Sequence, residues 1–414
     1  MPDAPATLLA RTIRLDADVD LLDVAGRDGF LFEQAGTGLA GRGVALRLPL
    51  PTGPGRLVDT ADLVGRALAA IEVDDGVGCP GTGPVAFAAL PFSASTPGDV
   101  VVPALVVGRS ADGTRWLTSI GPPGHVPPTE VGAPRAPAAP CPSAFVVRSG
   151  RPPDEWCGVV AGAVTELRAG AYRKVVLARE VVVEADAPHD PVVVLGRLRA
   201  AFSSSIVYAV EGFVGASPEL LVSRTGDVVR SQPMAGTAPR TGDPLADARL
   251  AASLLASAKD RAEHQITIDT VLDTLLGFCS YADVEPEPSV VPLANVQHLA
   301  SLVEGRLSSP AAPILQLVAA LHPTPAVCGW PRQEALDAIA RHEGFDRGRY
   351  AGAVGWVDGR GDGRFAVAVR CAELDGRRAR LMAGNGIVAD SDPATELAET
   401  RAKFQAVLAA VVRP

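Results

Sequence analysis

The chain has 414 residues, of which 47% are hydrophobic and 5% aromatic, and its formal net charge is −9. This is enough apolar material for one large domain or two to three smaller ones, with cores mainly of Val, Leu and Ala. The acidic balance, with no basic run, argues against nucleic acid as the main partner; the longest apolar runs, such as Val100 to Val107, fall short of the roughly 18 residues that a membrane span needs.

Residues 1–120 hold short β-branched runs at Leu8 to Leu15, Val44 to Leu50, Val85 to Leu90, Val100 to Gly108 and Trp116 to Ile120, with one helical stretch from Thr60 to Ile71. Gly, Pro and Asp punctuate them, which reads as sheet with few helices. Residues 121–153 are rich in proline and form the best linker candidate. Residues 154–414 alternate more clearly. Helices are predicted over Pro153 to Ala169, Pro191 to Phe202, Pro244 to Ser257, Ala258 to Leu276, Ala312 to Leu321 and Arg332 to His342. Strands are predicted over Lys174 to Val183, Ser205 to Val210, Phe213 to Ser223, Val228 to Pro233, Leu293 to Glu304, Tyr350 to Val357, Arg364 to Cys371 and Ala379 to Ala383. Short turns such as Asp358 to Gly363 imply antiparallel pairing, so the fold class is α+β with helices on the outer faces.

Near the C-terminal end, Ala383-Gly384-Asn385-Gly386 reads as a strand running into a glycine turn, and Asp392-Pro393 as the N-cap and first residue of a helix. Glu396, Glu399, Thr400 and Lys403 then share one helix face. Such a face is either a solvated charged surface or, beside glycine amides, a place for a divalent cation and an anionic ligand. Asp260 and Glu263 form a second acidic pair early on another helix, and two helices offering carboxylates suit a hard cation.

The match of Gly384 to Ala389 to the dinucleotide fingerprint G-x-G-x-x-A carries little, because one helix later the sequence ends and leaves no room for a βαβ unit. Lys174, one of three lysines in the chain, opens an apolar strand. It reads either as an edge lysine lying along apolar surface or as a desolvated amine able to act as a base. Glu219, after a turn, is a turn acid or a general acid. His298 and His322 are core histidines or site residues, and Tyr350 and Arg370 could aim at one carboxylate. The six cysteines, Cys79, Cys141, Cys157, Cys279, Cys328 and Cys371, form no metal-like spacing and read as reduced. Met1 to Ala4 lacks the features of a signal peptide, so a cytoplasmic protein is expected.

From Lys174 to Lys403 the chain resembles the chorismate-utilising enzymes, which include the isochorismate, salicylate, anthranilate and aminodeoxychorismate synthases. The resemblance rests on many motifs in order: Lys-Val-Val-Leu-Ala-Arg from 174, Gly-Ala-Ser-Pro-Glu from 215, Pro-Met-Ala-Gly-Thr from 233, Lys-Asp-Arg-Ala-Glu-His from 259, Val-Gln-His-Leu from 296, His-Pro-Thr-Pro-Ala from 322, Tyr-Ala-Gly from 350 and Ala-Gly-Asn-Gly-Ile-Val from 383. Arg364 and Cys328 stand where the family often has Glu and Gly. The resemblance implies one α+β unit of two subdomains with antiparallel sheets packed face to face. Members that use water as nucleophile carry lysine at the position of Lys174, and the His-Pro-Thr-Pro-Ala motif looks like that of the isochorismate synthases.

The reading is therefore Mg²⁺-dependent conversion of chorismate to isochorismate by a monomer, for siderophore or menaquinone synthesis. Salicylate synthase, an aminating synthase and a non-catalytic chorismate-binding subunit are the rivals. By the resemblance Lys174 is the base and Glu219 the acid. Glu263 and Glu399 would hold Mg²⁺, with Glu396 and Asp260 beside them. His298 would orient the ring, Thr237 would border the pocket, Tyr350, Arg370 and the Gly384 amide would bind a carboxylate, and Lys403 would neutralise the acidic face.

Overall fold

Strands from both ends of the chain share the same sheets. The computed structural model describes residues 7–128, 131 and 141–413. Met1 to Ala4, and the middle of the Pro-rich connection at 129, 130 and 132–140, lie outside the described residues. A 13-stranded sheet and a 9-stranded sheet carry most of the strands, with a 3-stranded sheet beside them. In the largest, Phe30–Gln34 from the N-terminal part pairs antiparallel with Ile206–Val210. In the second, Val85–Leu90 pairs antiparallel with Ala353–Asp358. The register is antiparallel almost throughout; Leu9–Arg14 against Glu72–Asp75 is a parallel pair.

The two large sheets pack on one another through the main core, where Phe30 of one lies 5.5 Å from Phe87 of the other. A second core lies on the opposite face of the 13-stranded sheet, under the helices Leu21–Ala25, Pro191–Ala201 and Pro393–Val412. The helices Arg56–Ala69, Ala258–Leu276 and Ile314–Leu321 pack on the 9-stranded sheet. Among the described residues no helix is long and apolar enough to cross a membrane.

Three predicted strands prove to be two each, for one physical reason: the chain changes direction or sheet at a residue that breaks the ladder. Val100 to Gly108 divides at Pro103 into Asp99–Val102 and Leu105–Arg109, which lie in different sheets. Phe213 to Ser223 divides at Pro218-Glu219, with Phe213–Ser217 in the large sheet and Leu220–Thr225 in the second. Leu293 to Glu304 divides into Val296–Ala300 and Val303–Leu307.

The C-terminal strand goes the other way. It runs unbroken over Arg378–Ile387, so Gly384, Asn385 and Gly386 are strand residues and the expected glycine turn is absent. Its partner Lys174–Ala185 holds it in register from Glu184↔Arg378 to Val175↔Ile387, and this pairing keeps the glycines extended. The helix start at Asp392-Pro393 is as read, with the Asp392 side chain accepting from the Thr395 amide.

Candidate active site

Two chain crossings between the large sheets build the floor of the site. At Ser217-Pro218-Glu219 the chain leaves the 13-stranded sheet for the 9-stranded one, and between Val367 and Cys371 it returns. The crossings are bonded to each other: the Val367 amide donates to the Glu219 carbonyl at 3.1 Å, and the Ala216 amide to the Arg370 carbonyl at 3.1 Å. Arg370 turns the corner with φ of +54°, a left-handed conformation uncommon for a residue with a side chain. The result is a buried acid and a buried guanidinium, 6% and 9% exposed, side by side.

Over this floor lies a cavity of about 270 Å³. The helix Ala258–Leu276 brings Lys259, Asp260 and Glu263 to it; Pro393–Val412 brings Glu396, Glu399 and Lys403. Thr237 and His298 face each other in register across the small sheet. Tyr350, Gly384 and Gly386 complete the wall. The structure thus gathers eleven of the twelve predicted site residues around one space. The twelfth, Lys174, lies just beneath it, 1% exposed, with Nζ 2.9 Å from Glu263 Oε1.

Burial pushes the Glu219 carboxyl up to about 8, against the pull of a Met234 backbone bond and the charges of Lys174 and Arg370. Its proton is therefore held near neutral pH. His298 is driven the other way, down to about 3, by burial and then by Arg370 and Lys403. Its bonds fix a neutral tautomer: Arg370 Nη2 donates to Nε2 at 3.0 Å, so Nδ1 carries the hydrogen and donates to the Gly236 carbonyl at 3.1 Å. Burial raises the Tyr350 hydroxyl above its usual range and lowers the Arg370 guanidinium. Among the described residues the buried Arg370 Nε has no hydrogen-bond partner, so a donor is left for a ligand.

The carboxylates are tied more closely than the sequence implied. Glu263, expected to hold a metal, is ion-paired to Lys174. The amine's ion-pair partner is therefore a carboxylate. Glu399 pairs with Lys403 at 2.6 Å; burial lifts its carboxyl, Lys403 lowers it, and the net shift is downward. Glu396 spends both oxygens on Ser391 Oγ at 2.7 Å and Asn385 Nδ2 at 3.0 Å, and burial raises it. Asp260 accepts from Ser257 Oγ in a reciprocal helix cap. Lys403 also donates to the Gly384 carbonyl at 3.0 Å and to Asn385 Oδ1 at 2.8 Å, so it braces the strand besides neutralising Glu399. Among the described residues no three His, Cys, Asp or Glu side chains form a closed metal cage.

Gly386 matters for a reason the sequence did not give. A Cβ there would lie 2.7 Å from Glu263 Oε1 and 2.8 Å from Lys174 Cε. Both are ends of flexible side chains, so Gly386→Ala should keep the fold and push the Lys174–Glu263 pair apart. Turnover is expected to fall by at least about tenfold with little change in Tm; unchanged turnover in a steady-state assay would show that this spacing is immaterial.

Sequence reasoning passed over Lys259, which lines the cavity. The signal was available: of the 38 basic Lys and Arg residues only three are lysines, and all three converge here. A chain that otherwise uses arginine keeps the compact ammonium only where it meets these carboxylates. His322, left open as a site residue, lies outside this cavity.

Residues 133–412 match the family model described as chorismate binding enzyme. The chain is 43% identical over 344 residues to a Mycobacterium tuberculosis protein provisionally named isochorismate synthase MenF, spanning 80% of this chain and 87% of that one. It is 42% identical over 270 residues to isochorismate synthase DhbC of Bacillus subtilis, covering 63% of this chain and 68% of the other. Among solved structures it is similar to the menaquinone-specific isochorismate synthase MenF of Escherichia coli, with a TM-score of 0.81 at 25% identity over 99% of this chain and 96% of that one.

Proposed function

This chain belongs to the chorismate-binding enzymes, and we propose that it is an isochorismate synthase, an isomerase that converts chorismate to isochorismate with Mg²⁺. The observation that carries this reading is Glu219, a carboxyl that keeps its proton to about 8 on the floor of a cavity beneath which Lys174 is buried. The reaction adds water at C2 of the cyclohexadiene while the C4 hydroxyl leaves and the double bonds shift. One water enters and one departs, so the net change is an isomerisation. It needs a base on the incoming side and an acid on the leaving side. Lys174 takes a proton from the attacking water, and Glu219 gives one to the leaving hydroxyl. Arg370, with its unpartnered Nε, and Tyr350 bind a carboxylate of the substrate, while His298 donates nothing at Nε2 and holds Arg370 in place.

Charge supports the metal. Asp260, Glu263, Glu396 and Glu399 face Lys174, Lys259, Arg370 and Lys403, so the charged groups balance. A dianion entering alone would leave this closed space two charges negative; with a divalent cation it stays neutral. Glu263 and Glu399 would hold it, each released in part from its lysine, with Glu396 and Asp260 behind them. Held there, a divalent ion would supply positive charge opposite a substrate carboxylate, and Glu263, in serving it, would hold the Lys174 amine less closely. Every group invoked belongs to one chain, so a monomer suffices.

The test is chromatographic: purified protein with chorismate and Mg²⁺ should yield isochorismate, and chelation with EDTA should stop it until Mg²⁺ is restored. Salicylate with pyruvate as the released products, or anthranilate in the presence of ammonia, would overturn the assignment.

A further inference from the structure

The outer edge of the strand Lys174–Ala185 is covered at its two ends and open between them. Phe145–Ser149 pairs with Val181 to Ala185, and Gly329–Trp330 with Lys174 and Val175. Among the described residues no strand pairs with Val176 to Glu180 on that side. An ion pair fills the gap instead. Glu343 and Arg347, just past the helix Arg332–His342, are 4% and 2% exposed. Glu343 Oε1 accepts from the Ala178 amide at 2.7 Å, and Arg347 Nη2 donates to the Val176 carbonyl at 2.7 Å. The two side chains also bind each other, Nε to Oε2 at 2.9 Å and Nη2 to Oε1 at 2.5 Å.

The same guanidinium reaches two further places. Nη1 donates to the Val327 carbonyl at 2.8 Å. The ring of Tyr350 lies 5.9 Å away, and the Tyr350 amide donates to the Arg347 carbonyl at 3.1 Å. Val176, Val327 and Tyr350 all line the catalytic cavity, and Lys174 stands two residues before Val176. A pair this deeply buried adds little net stability, since desolvation offsets the attraction. A planar fork bonded through three nitrogens fixes geometry instead. We propose that Glu343 and Arg347 are positioning residues for the reaction. From behind the wall they hold the strand of Lys174, the loop at Val327 and the ring of Tyr350 in fixed relation, and neither touches substrate. The inference rests on the roles given above to Lys174 and Tyr350.

The far side of the pair faces solvent. Both residues line an open cavity of about 1250 Å³ outside the catalytic one, so the place vacated in Arg347→Ala can be filled from there by guanidinium ion. Two kinetic effects are expected in the folded variant. Displacing the strand of Lys174 should lower kcat by at least about tenfold. Loosening Tyr350 should raise KM for chorismate by about threefold or more, the weakening of one hydrogen bond. A fraction of misfolded protein, by contrast, lowers kcat alone and leaves KM where it was.

The experiment is a steady-state comparison at a temperature where circular dichroism shows the variant folded. Millimolar guanidinium should restore kcat and KM saturably; methylammonium, a cation without the fork, should not. Glu343→Gln keeps the shape of the acid and the bond from Ala178, but sets an N–H against Arg347 Nε. It should move both constants the same way, and it decides the matter if Arg347→Ala does not fold. Rates are followed as loss of chorismate, so a product other than isochorismate would overturn the assigned reaction and leave this comparison intact. Constants that do not move, a fall in kcat at unchanged KM, or no restoration of the folded variant by guanidinium would overturn the proposal.

Discussion

Replacing Lys174 by alanine should lower the rate of isochorismate formation by roughly 10²–10⁴-fold, the range that a positioned general base contributes. The substitution does two things at once. It removes the proton acceptor, and it leaves Glu263, only 16% exposed at its side chain, without the ammonium 2.9 Å away. The second effect is one of stability, since an acid stripped of its partner in a largely buried place is costly. The two can be separated by adding small alkylamines to the variant. An amine that enters the vacated space restores turnover in proportion to its unprotonated fraction, whereas a purely structural filler would work at any pH. A variant that turns chorismate over within tenfold of the parent would remove Lys174 from the chemistry.

Glu219→Gln separates activity from stability in the opposite sense. Glutamine has the shape of the protonated acid but no proton to give, so turnover should again fall by roughly 10²–10⁴-fold. Stability should rise. The folded-state pKa is raised from 4.5 to about 8, so the folded protein holds a proton that the unfolded chain releases. Below about pH 4.5 both states are protonated and the substitution is neutral. As pH rises toward 8 the parent loses stability that the glutamine variant keeps, up to a ceiling of roughly 4–5 kcal/mol at about 1.4 kcal/mol per pH unit. Denaturant melts of the two proteins at pH 5 and pH 9 measure the difference. The same proton sets the alkaline limb of activity, which should descend through about pH 8 in the parent. A gap in stability that shrinks toward alkaline pH would mean that Glu219 is ionised in the folded protein.

What the sequence made legible follows from which interactions are local. Helices with capped starts, such as Asp392-Pro393 onward and Ser257 onward, were placed to within a residue or two because their signals lie within one turn. The strand Phe30–Gln34 and its partner Thr37–Arg42 were missed, because Gly38-Leu39-Ala40-Gly41 lacks β-branched residues and takes its strand geometry from neighbours far along the chain. The division of Phe213 to Ser223 was invisible for a related reason. Its apolar pattern continues across Pro218-Glu219, and only the tertiary fold sends the two halves to different sheets.

The identities of the site residues were readable as motifs, but their pairings were not. Nothing in the spacing of Lys174 and Glu263 shows that they touch, and the bracing of the glycine strand by Lys403 depends on a helix packing against it. Lys259 was open to sight as a letter, and became informative only once its neighbours in space were known.

The clustering of the three lysines has a practical consequence. Primary amines are the targets of acylating reagents, and in this protein every side-chain amine stands at one address. Lys259 is exposed while Lys174 and Lys403 are buried. A reagent that would decorate most proteins at random is directed here to the rim of the reaction chamber, where a label reports on whatever occupies it.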